Sequence, residues 1–178
     1  DLRGSPEATE SFSLKPSSYY SATKAAAEML VIAAHRTFNL PYLITRCCNN
    51  FGPDQHAEKF LPTVFEAMRN NRPIPVYGDG LQIREWIHVS DHVSIMANLM
   101  HSSYNAETYN IGSGFSYTNL EVIEKISEEL GIPANIEYVA DRLGHDRKYA
   151  LDCKKLKAYG GDRIFEPLEN FIKRESGN

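Results

Sequence analysis

Tyr20 and Lys24, in the run Tyr19-Tyr20-Ser21-Ala22-Thr23-Lys24-Ala25-Ala26-Ala27-Glu28, put a phenol and an ammonium four residues apart, on one face of a helix. A tyrosine ordinarily ionises near pH ~10, and a cation held beside it favours the phenolate, so such a pair can take a hydroxyl proton near neutral pH. Removing a hydride from an alcohol carbon requires that proton transfer. The same spacing also arises by chance on amphipathic helices, so the rest of the chain must decide whether this pair does chemistry.

Other candidates carry competing explanations of their own. Asn49, after an apolar run, can offer its amide to a sugar hydroxyl or phosphate, or can simply form a turn with Asn50. Asn119 precedes Leu120-Glu121-Val122 as a helix cap would, and Tyr77 could be no more than a strand aromatic. Arg84 suits a phosphate because its planar fork binds two oxygens, although Glu85 or a neighbouring acid offers a surface ion pair instead. His88 and His92 have a metal-pair spacing, but one ends a strand, the other begins a helix, and no third ligand accompanies them.

The elements that must position these residues follow from periodicity and breakers. Residues 1–18, rich in Ser, Pro, Glu and Gly, form a loop ending in Pro16-Ser17-Ser18, which offers a helix cap. A helix from about Tyr19 to Phe38 carries the Tyr/Lys pair and stops at Asn39-Leu40-Pro41; its alanines, Met29, Leu30 and Ile32 make an apolar surface. Tyr42–Cys47 reads as a strand emptying into the polar turn Cys48–Pro53, the kind of loop where open α/β sheets bind ligands. A helix over Phe60–Asn70 precedes a strand-turn-strand, with Ile74–Tyr77 and Arg84–Val89 flanking Gly78-Asp79-Gly80. Asp91 caps a third helix to about Ser103, Thr108–Gly112 is a strand, Asn119 caps a helix ending near Gly131, and Ile136–Ala140 is a strand. Two short helical patterns fill the tail after Lys154. The alternation predicts an α/β fold.

Bulk properties narrow the function. A chain of 178 residues with 19 basic and 23 acidic side chains is net acidic, so it lacks the basic footprint of a nucleic-acid binder. Any anionic ligand must be met by locally placed Arg or Lys. Cys47, Cys48 and Cys153 form an odd set without Cys-x-x-Cys spacing, which argues against disulfides and structural zinc and points to the cytoplasm. No apolar run approaches the roughly 18 residues of a membrane span. The opening Asp1-Leu2-Arg3-Gly4-Ser5-Pro6 is no signal peptide and reads as the middle of a longer protein, with a processed or tag-trimmed terminus as the competing explanation. No Gly-x-Gly-x-x-Gly follows a strand, so the turn that would seat a dinucleotide pyrophosphate on a helix N-terminus is missing.

Tyr20-x-x-x-Lys24, Asn49-Asn50-Phe51-Gly52-Pro53, Glu58-Lys59-Phe60-Leu61-Pro62, Val76-Tyr77-Gly78-Asp79-Gly80, Gln82-Ile83-Arg84-Glu85-Trp86 and Asp141-Arg142-Leu143-Gly144-His145-Asp146-Arg147 together resemble one family. They are similar to the C-terminal half of the dTDP-glucose 4,6-dehydratases, extended short-chain dehydrogenases/reductases acting on nucleotide sugars. The resemblance covers residues 1 to about 155 and weakens beyond, where Gly160–Pro167 departs from the expected Gly-Trp-x-Pro. It implies the C-terminal part of a Rossmann-type enzyme lacking its N-terminal dinucleotide-binding βαβ units. Residues 1–53 would be a remnant of the Rossmann domain, and 54–178 mainly a nucleotide-sugar-binding subdomain from which the chain is free to return to the Rossmann sheet.

By that resemblance Tyr20 deprotonates the sugar 4-hydroxyl while NAD+ takes the C4 hydride, water leaves across C5 and C6, and hydride returns to C6. Lys24 lowers the Tyr20 pKa and bonds the nicotinamide ribose; Cys47 and Asn50 line the cofactor pocket. Arg84 grips the diphosphate, with Arg142 and His145 closing over it and Asn49, Lys59, Phe60, Pro75, Tyr77 and Asn119 lining the rest of the dTDP-glucose site. Phe60 stands where the family has Leu, which bears on the choice between thymine and uracil. No metal is implied, and the Tyr19–Phe38 helix would form a homodimer in the full-length enzyme. The family's dehydrating Thr-Asp-Glu segment lies just before Asp1, so this chain alone should not turn over. A related nucleotide-sugar epimerase or decarboxylase, or a noncatalytic nucleotide-binding module, are the competing readings.

Overall fold

The computed structural model describes residues 6–101, 106–160 and 163–177. Asp1, Leu2 and the expected helix end at Ser103 lie outside the described residues, as do Gly161 and Asp162 in the tail. The elements run α1 (Tyr19–Phe38), β1 (Leu43–Cys47), β2 (Asn49–Phe51), α2 (Phe60–Arg69), β3 (Ile74–Tyr77), β4 (Ile83–His88) and α3 (Val89–Met100). They continue as β5 (Glu107–Ile111), β6 (Ser116–Thr118), α4 (Asn119–Leu130), β7 (Ile136–Val139), β8 (Lys148–Tyr149), α5 (Lys154–Gly160) and α6 (Leu168–Ser176). No described helix is long and apolar enough to cross a membrane.

The strands pair mostly with partners distant in sequence. β1 runs parallel to β5, with Leu43 opposite Glu107, and β3 runs parallel to β7, with Ile74 opposite Ile136. β4 sits between the others: Trp86–His88 pair parallel with β2, while Ile83–Glu85 pair antiparallel with β6, and Ile83 and Arg84 also meet β8. The expected strand-turn-strand is therefore no hairpin. Gly78 and Gly80 do adopt left-handed φ values of 62° and 72°, but their turn passes the chain from one sheet to another because β7 has taken the edge of β3.

Several expected boundaries move for identifiable reasons. The turn expected at Asn49–Phe51 is strand β2, because β4 supplies its ladder. Asp91 does not cap α3: His88 Nδ1 accepts the Ser90 N–H, starting the helix earlier, and Asp91 Oδ2 accepts the Glu166 N–H instead. Asn119 does not cap α4 either. Thr118 and Glu121 form a reciprocal capping box one residue upstream, so Asn119 is the first helical residue. The N-terminal loop is pinned by an Ala8–Leu151 bridge and by Asn110 Nδ2 donating to the Ala8 carbonyl.

Among the described residues two apolar cores result. One packs α2, α4 and α6 against β3 and β4 through Leu61, Phe65, Trp86, Ile123, Ile126 and Phe171. The other packs α3 and α5 on β1 and β5 through Ile95, Leu99, Tyr109, Ile111 and Leu156. Ile126 and Ile111 are fully buried, and truncating either to alanine would cost roughly 2–5 kcal/mol. By contrast, α1 buries none of its side chains, and Met29, Leu30, Val31 and Phe38 are exposed.

Candidate active site

The Tyr/Lys helix begins where Ser18 accepts the Ser21 N–H and Ser21 Oγ accepts the Ser18 N–H, closing both ends of a capping box. It is held to β1 by Arg46, whose Nε and Nη2 reach Glu28 at 3.0 and 2.7 Å while Nη1 donates to the Glu10 carbonyl. Tyr20 and Lys24 are thereby presented outward, the phenol three-quarters exposed. Their helix spacing is as read from the sequence.

Behind that helix, the end of β1 gathers Cys47, Asn50, His92 and Tyr149. The Tyr149 hydroxyl donates to the Cys47 carbonyl at 3.1 Å. Burial pushes its pKa up to about 12, with Cys47, Cys48 and Tyr20 adding to the rise, so Tyr149 stays a neutral donor close to Tyr20. Asn50 Nδ2 donates to the Cys48 carbonyl and the Cys47 sulfur, and its Oδ1 lies 2.8 Å from His92 Nδ1. Desolvation pulls the His92 pKa down, so the ring is a neutral donor through Nδ1. Cys48 is buried and its thiol is held protonated by desolvation.

A second cluster surrounds Gln82, which is completely buried. Its Nε2 donates to the Tyr77 carbonyl and to Asp141 Oδ2, and its Oε1 accepts from Asn119 Nδ2 at 3.4 Å. Asp141 Oδ1 lies 2.6 Å from His145 Nδ1, and that hydrogen bond is the main cause holding the Asp141 carboxyl below its ordinary range. The Arg142 guanidinium stands 4.1 Å over the Tyr77 ring. Arg147 grips Asp79 with two 2.6 Å bonds, closing segment 141–147 over the Gly78–Gly80 turn. Tyr77, Asn119, Arg142 and His145, spread over the sequence, thus share one network.

Arg84 joins this network from β4. Its Nη1 donates to the Ile83 carbonyl and its Nη2 to the Asp146 carbonyl at 2.7 Å. The surface ion pair with Glu85 does not form, because neighbours on a strand point to opposite faces. Glu85 is buried at 1% exposure and accepts the N–H groups of Gly114 and Leu151 at 2.7 and 2.9 Å. Desolvation lowers the Arg84 pKa, and the nearby Asp146 and Asp141 charges oppose that shift.

The remaining candidates are placed less closely. Asn49 is half-buried on β2, opposite Trp86 of β4, and Phe60 stacks on the Trp86 ring with centroids 6.2 Å apart. Lys59 is exposed at the N-cap of α2 and makes no side-chain cap bond; Pro75 is exposed on β3. Gln82, Asp141, Tyr149 and Glu85 were not singled out by sequence reasoning as parts of the site. Gln82, Glu85 and Asp141 stood inside the quoted motifs without a role of their own, and Tyr149 left no signal.

Comparison with known proteins bears on what this arrangement is for. The model of the NAD dependent epimerase/dehydratase family matches residues 2–112. The chain belongs to that family. Among curated relatives it is 48% identical over 153 residues to the low-salt glycan biosynthesis protein Agl12 of Haloferax volcanii, covering 85% of this chain and 49% of that one. It is 43% identical over 163 residues to a dTDP-glucose 4,6-dehydratase of Actinoplanes, covering 91% and 50% respectively. The chain spans about half the length of the curated relatives it matches. Among solved structures it superposes on the dTDP-glucose 4,6-dehydratase DesIV of Streptomyces venezuelae, determined with NAD bound, with a TM-score of 0.92 and 38% identity. That match covers 97% of this chain and 54% of DesIV. The expected likeness to the dTDP-glucose 4,6-dehydratases and the α/β, Rossmann-type fold class are borne out.

Proposed function

We propose that this chain provides the nucleotide-sugar-binding part and the oxidising Tyr/Lys pair of an NAD-dependent dTDP-glucose 4,6-dehydratase. The observation that carries the reading is the Gln82-centred network, which draws Tyr77, Asn119, Arg142 and His145 together beside Arg84. Relatives carrying that activity at 43% identity support it. Arg84 and Arg142 supply the fixed cations a diphosphate needs, Tyr77 offers a ring for the base, and Asn49, Lys59, Phe60, Pro75, Asn119 and His145 line the rest of the ligand. The two core-bearing parts correspond to a Rossmann remnant and a substrate subdomain between which the chain passes repeatedly.

The exposed Tyr20 and Lys24, with half-buried Cys47 and Asn50 beneath, fit the nicotinamide-ribose end of NAD. Held there, NAD+ would supply a reversible hydride acceptor for C4 oxidation and, after water is lost across C5 and C6, for reduction at C6. The Tyr20 Oη takes the proton of the sugar 4-hydroxyl, and Lys24, on the same helix face, bonds the nicotinamide ribose. Arg84 orients the substrate by its diphosphate, so the reacting carbon is presented to Tyr20 in a fixed pose. The uncovered apolar face of α1 supports a homodimer of the full-length enzyme. Sedimentation as a monomer would remove that part of the reading.

Incubating the full-length protein with NAD+ and dTDP-glucose tests the assignment. A 4-keto-6-deoxy product, seen as a chromophore in alkali, is the expected result, and Tyr20→Phe abolishes it. Recovery of a C4 epimer without the chromophore would overturn the reading.

A further inference from the structure

Segment 141–147 carries Arg142 and His145, α1 carries Tyr20, and the two meet at Ser17. The Ser17 hydroxyl shares one proton between the Gly144 carbonyl at 3.0 Å and Asp146 Oδ1 at 3.1 Å, across 127 residues of chain. Gly144 has φ +71°, and a Cβ there would run into the Ser17 carbonyl, so the two backbones lie directly against one another. The carbonyl of Asp146 accepts the Arg84 Nη2. Ser18, the next residue after Ser17, is the N-cap whose box with Ser21 fixes the first turn of α1, where Tyr20 stands. A continuous polar path therefore runs from Arg84 through Asp146 and Ser17 to the turn bearing Tyr20.

The path matters because little else positions that turn. α1 buries no side chain, and among the described residues its polar ties to other parts of the chain lie further along the helix: Glu28 to Arg46 in the middle, and His35 to the Leu40 carbonyl at the end. The first turn is closed on itself by the Ser18/Ser21 box and by the Thr23 hydroxyl on the Tyr20 carbonyl, so its place relative to the rest of the fold falls to the contact at Ser17. Segment 141–147 is by contrast anchored at several points, among them Arg147 on Asp79, Asp141 on Gln82 and the Asp146 carbonyl on Arg84.

We propose that Ser17 and Gly144 form a clasp that couples the nucleotide-binding segment 141–147 to the Tyr20 turn, with Ser17 as a positioning residue. The proposal rests on the function proposed above. A nucleotide that orders segment 141–147 through Arg142 and His145 orders the first turn of α1 through the clasp, so that Tyr20 is set for proton transfer only when the substrate's far end is engaged.

The test uses the full-length protein with NAD+ and dTDP-glucose. Ser17→Ala lowers kcat about tenfold, the effect of one ordinary hydrogen bond on a barrier, while the Kd for dTDP from calorimetry stays within about twofold. Ser17→Thr, which keeps the hydroxyl, restores kcat. Gly144→Ala opens the clasp from its other side, and the double variant is no slower than the slower single variant. In hydrogen exchange, added dTDP protects the Ser21 and Ala22 amides in the wild type and no longer does so in Ser17→Ala. Unchanged kcat in Ser17→Ala, or undiminished dTDP protection of those amides in it, overturns the clasp. Equal losses of kcat, dTDP affinity and thermal stability would assign Ser17 a merely structural role and likewise overturn it. A wild type that leaves dTDP-glucose unconverted sinks the function reading, whereas an active wild type with an indifferent Ser17→Ala sinks the clasp alone.

Discussion

Replacing Gly112 with alanine tests how the buried Glu85 holds two parts of the chain together. A Cβ at residue 112 overlaps Glu85 Oε1 and stands 2.8 Å from its Cδ, so the carboxylate must swing away. That carboxylate accepts the Gly114 and Leu151 N–H groups, at 2.7 and 2.9 Å, inside a site with 1% exposure. Hydrogen bonds to a charged acceptor are worth about 1.5–3 kcal/mol each, and displacing the group breaks at least one while leaving a buried donor unpaired. A destabilisation of about 2–4 kcal/mol follows, or roughly 5–15 °C in melting temperature for a domain of this size.

The loss also carries a pH signature. Burial raises the Glu85 pKa, and the two N–H groups oppose that rise. An acid whose folded pKa lies above its unfolded value, about 4.3 for Glu, destabilises the fold increasingly as pH climbs from the unfolded through the folded pKa. Removing the N–H groups raises the folded pKa further, so the deficit of Gly112→Ala grows from pH 4 to pH 8. Urea unfolding of the full-length protein, followed by circular dichroism, reads both quantities. In a Glu85→Ala background the same alanine should cost almost nothing. Losses that simply add, or a deficit independent of pH, refute the reasoning.

Three further outcomes are expected. Arg84→Lys keeps a charge but loses the planar fork, so calorimetry should show dTDP affinity falling about tenfold or more. Asp79, held by Arg147 at about 2 against an ordinary 3.8, contributes stability that is intact above about pH 4 and lost as pH falls through the folded value; melting curves of Asp79→Asn should therefore converge with wild type near pH 2. Cys153, whose pKa burial pushes up to about 12, and Cys48, raised by the same cause, should resist iodoacetamide at pH 8 in the native state and react in urea, as mass spectrometry would show.

Local signals were legible where one residue's chemistry sufficed. Ser18 before an alanine-rich run with Asn39-Leu40-Pro41 at its end marked α1 at both boundaries, and the apolar run before Cys48 marked β1. Boundaries failed where two side chains competed for one role: Thr118 with Glu121 outbid Asn119, and His88 outbid Asp91. Short strands such as β2, β6 and β8 failed for a different reason. With two or three residues each they carry no periodicity, and they exist because β4 offers them a ladder.

The sequence by itself determined the Tyr20/Lys24 spacing, the placing of the main helices and the likeness to a family, because helix faces and motifs depend on residues near one another in the chain. Only the tertiary structure decided which of the distant candidates meet. Gln82 has no chemistry of its own to advertise, yet complete burial obliges its amide to find Tyr77, Asp141 and Asn119. Glu85, beside Arg84 in sequence, ends on the opposite face of the strand and binds main chain from two remote segments. Ser17 likewise shows its contact with Gly144 and Asp146 only once the backbone has brought positions 127 and 129 residues further on back to the start of α1.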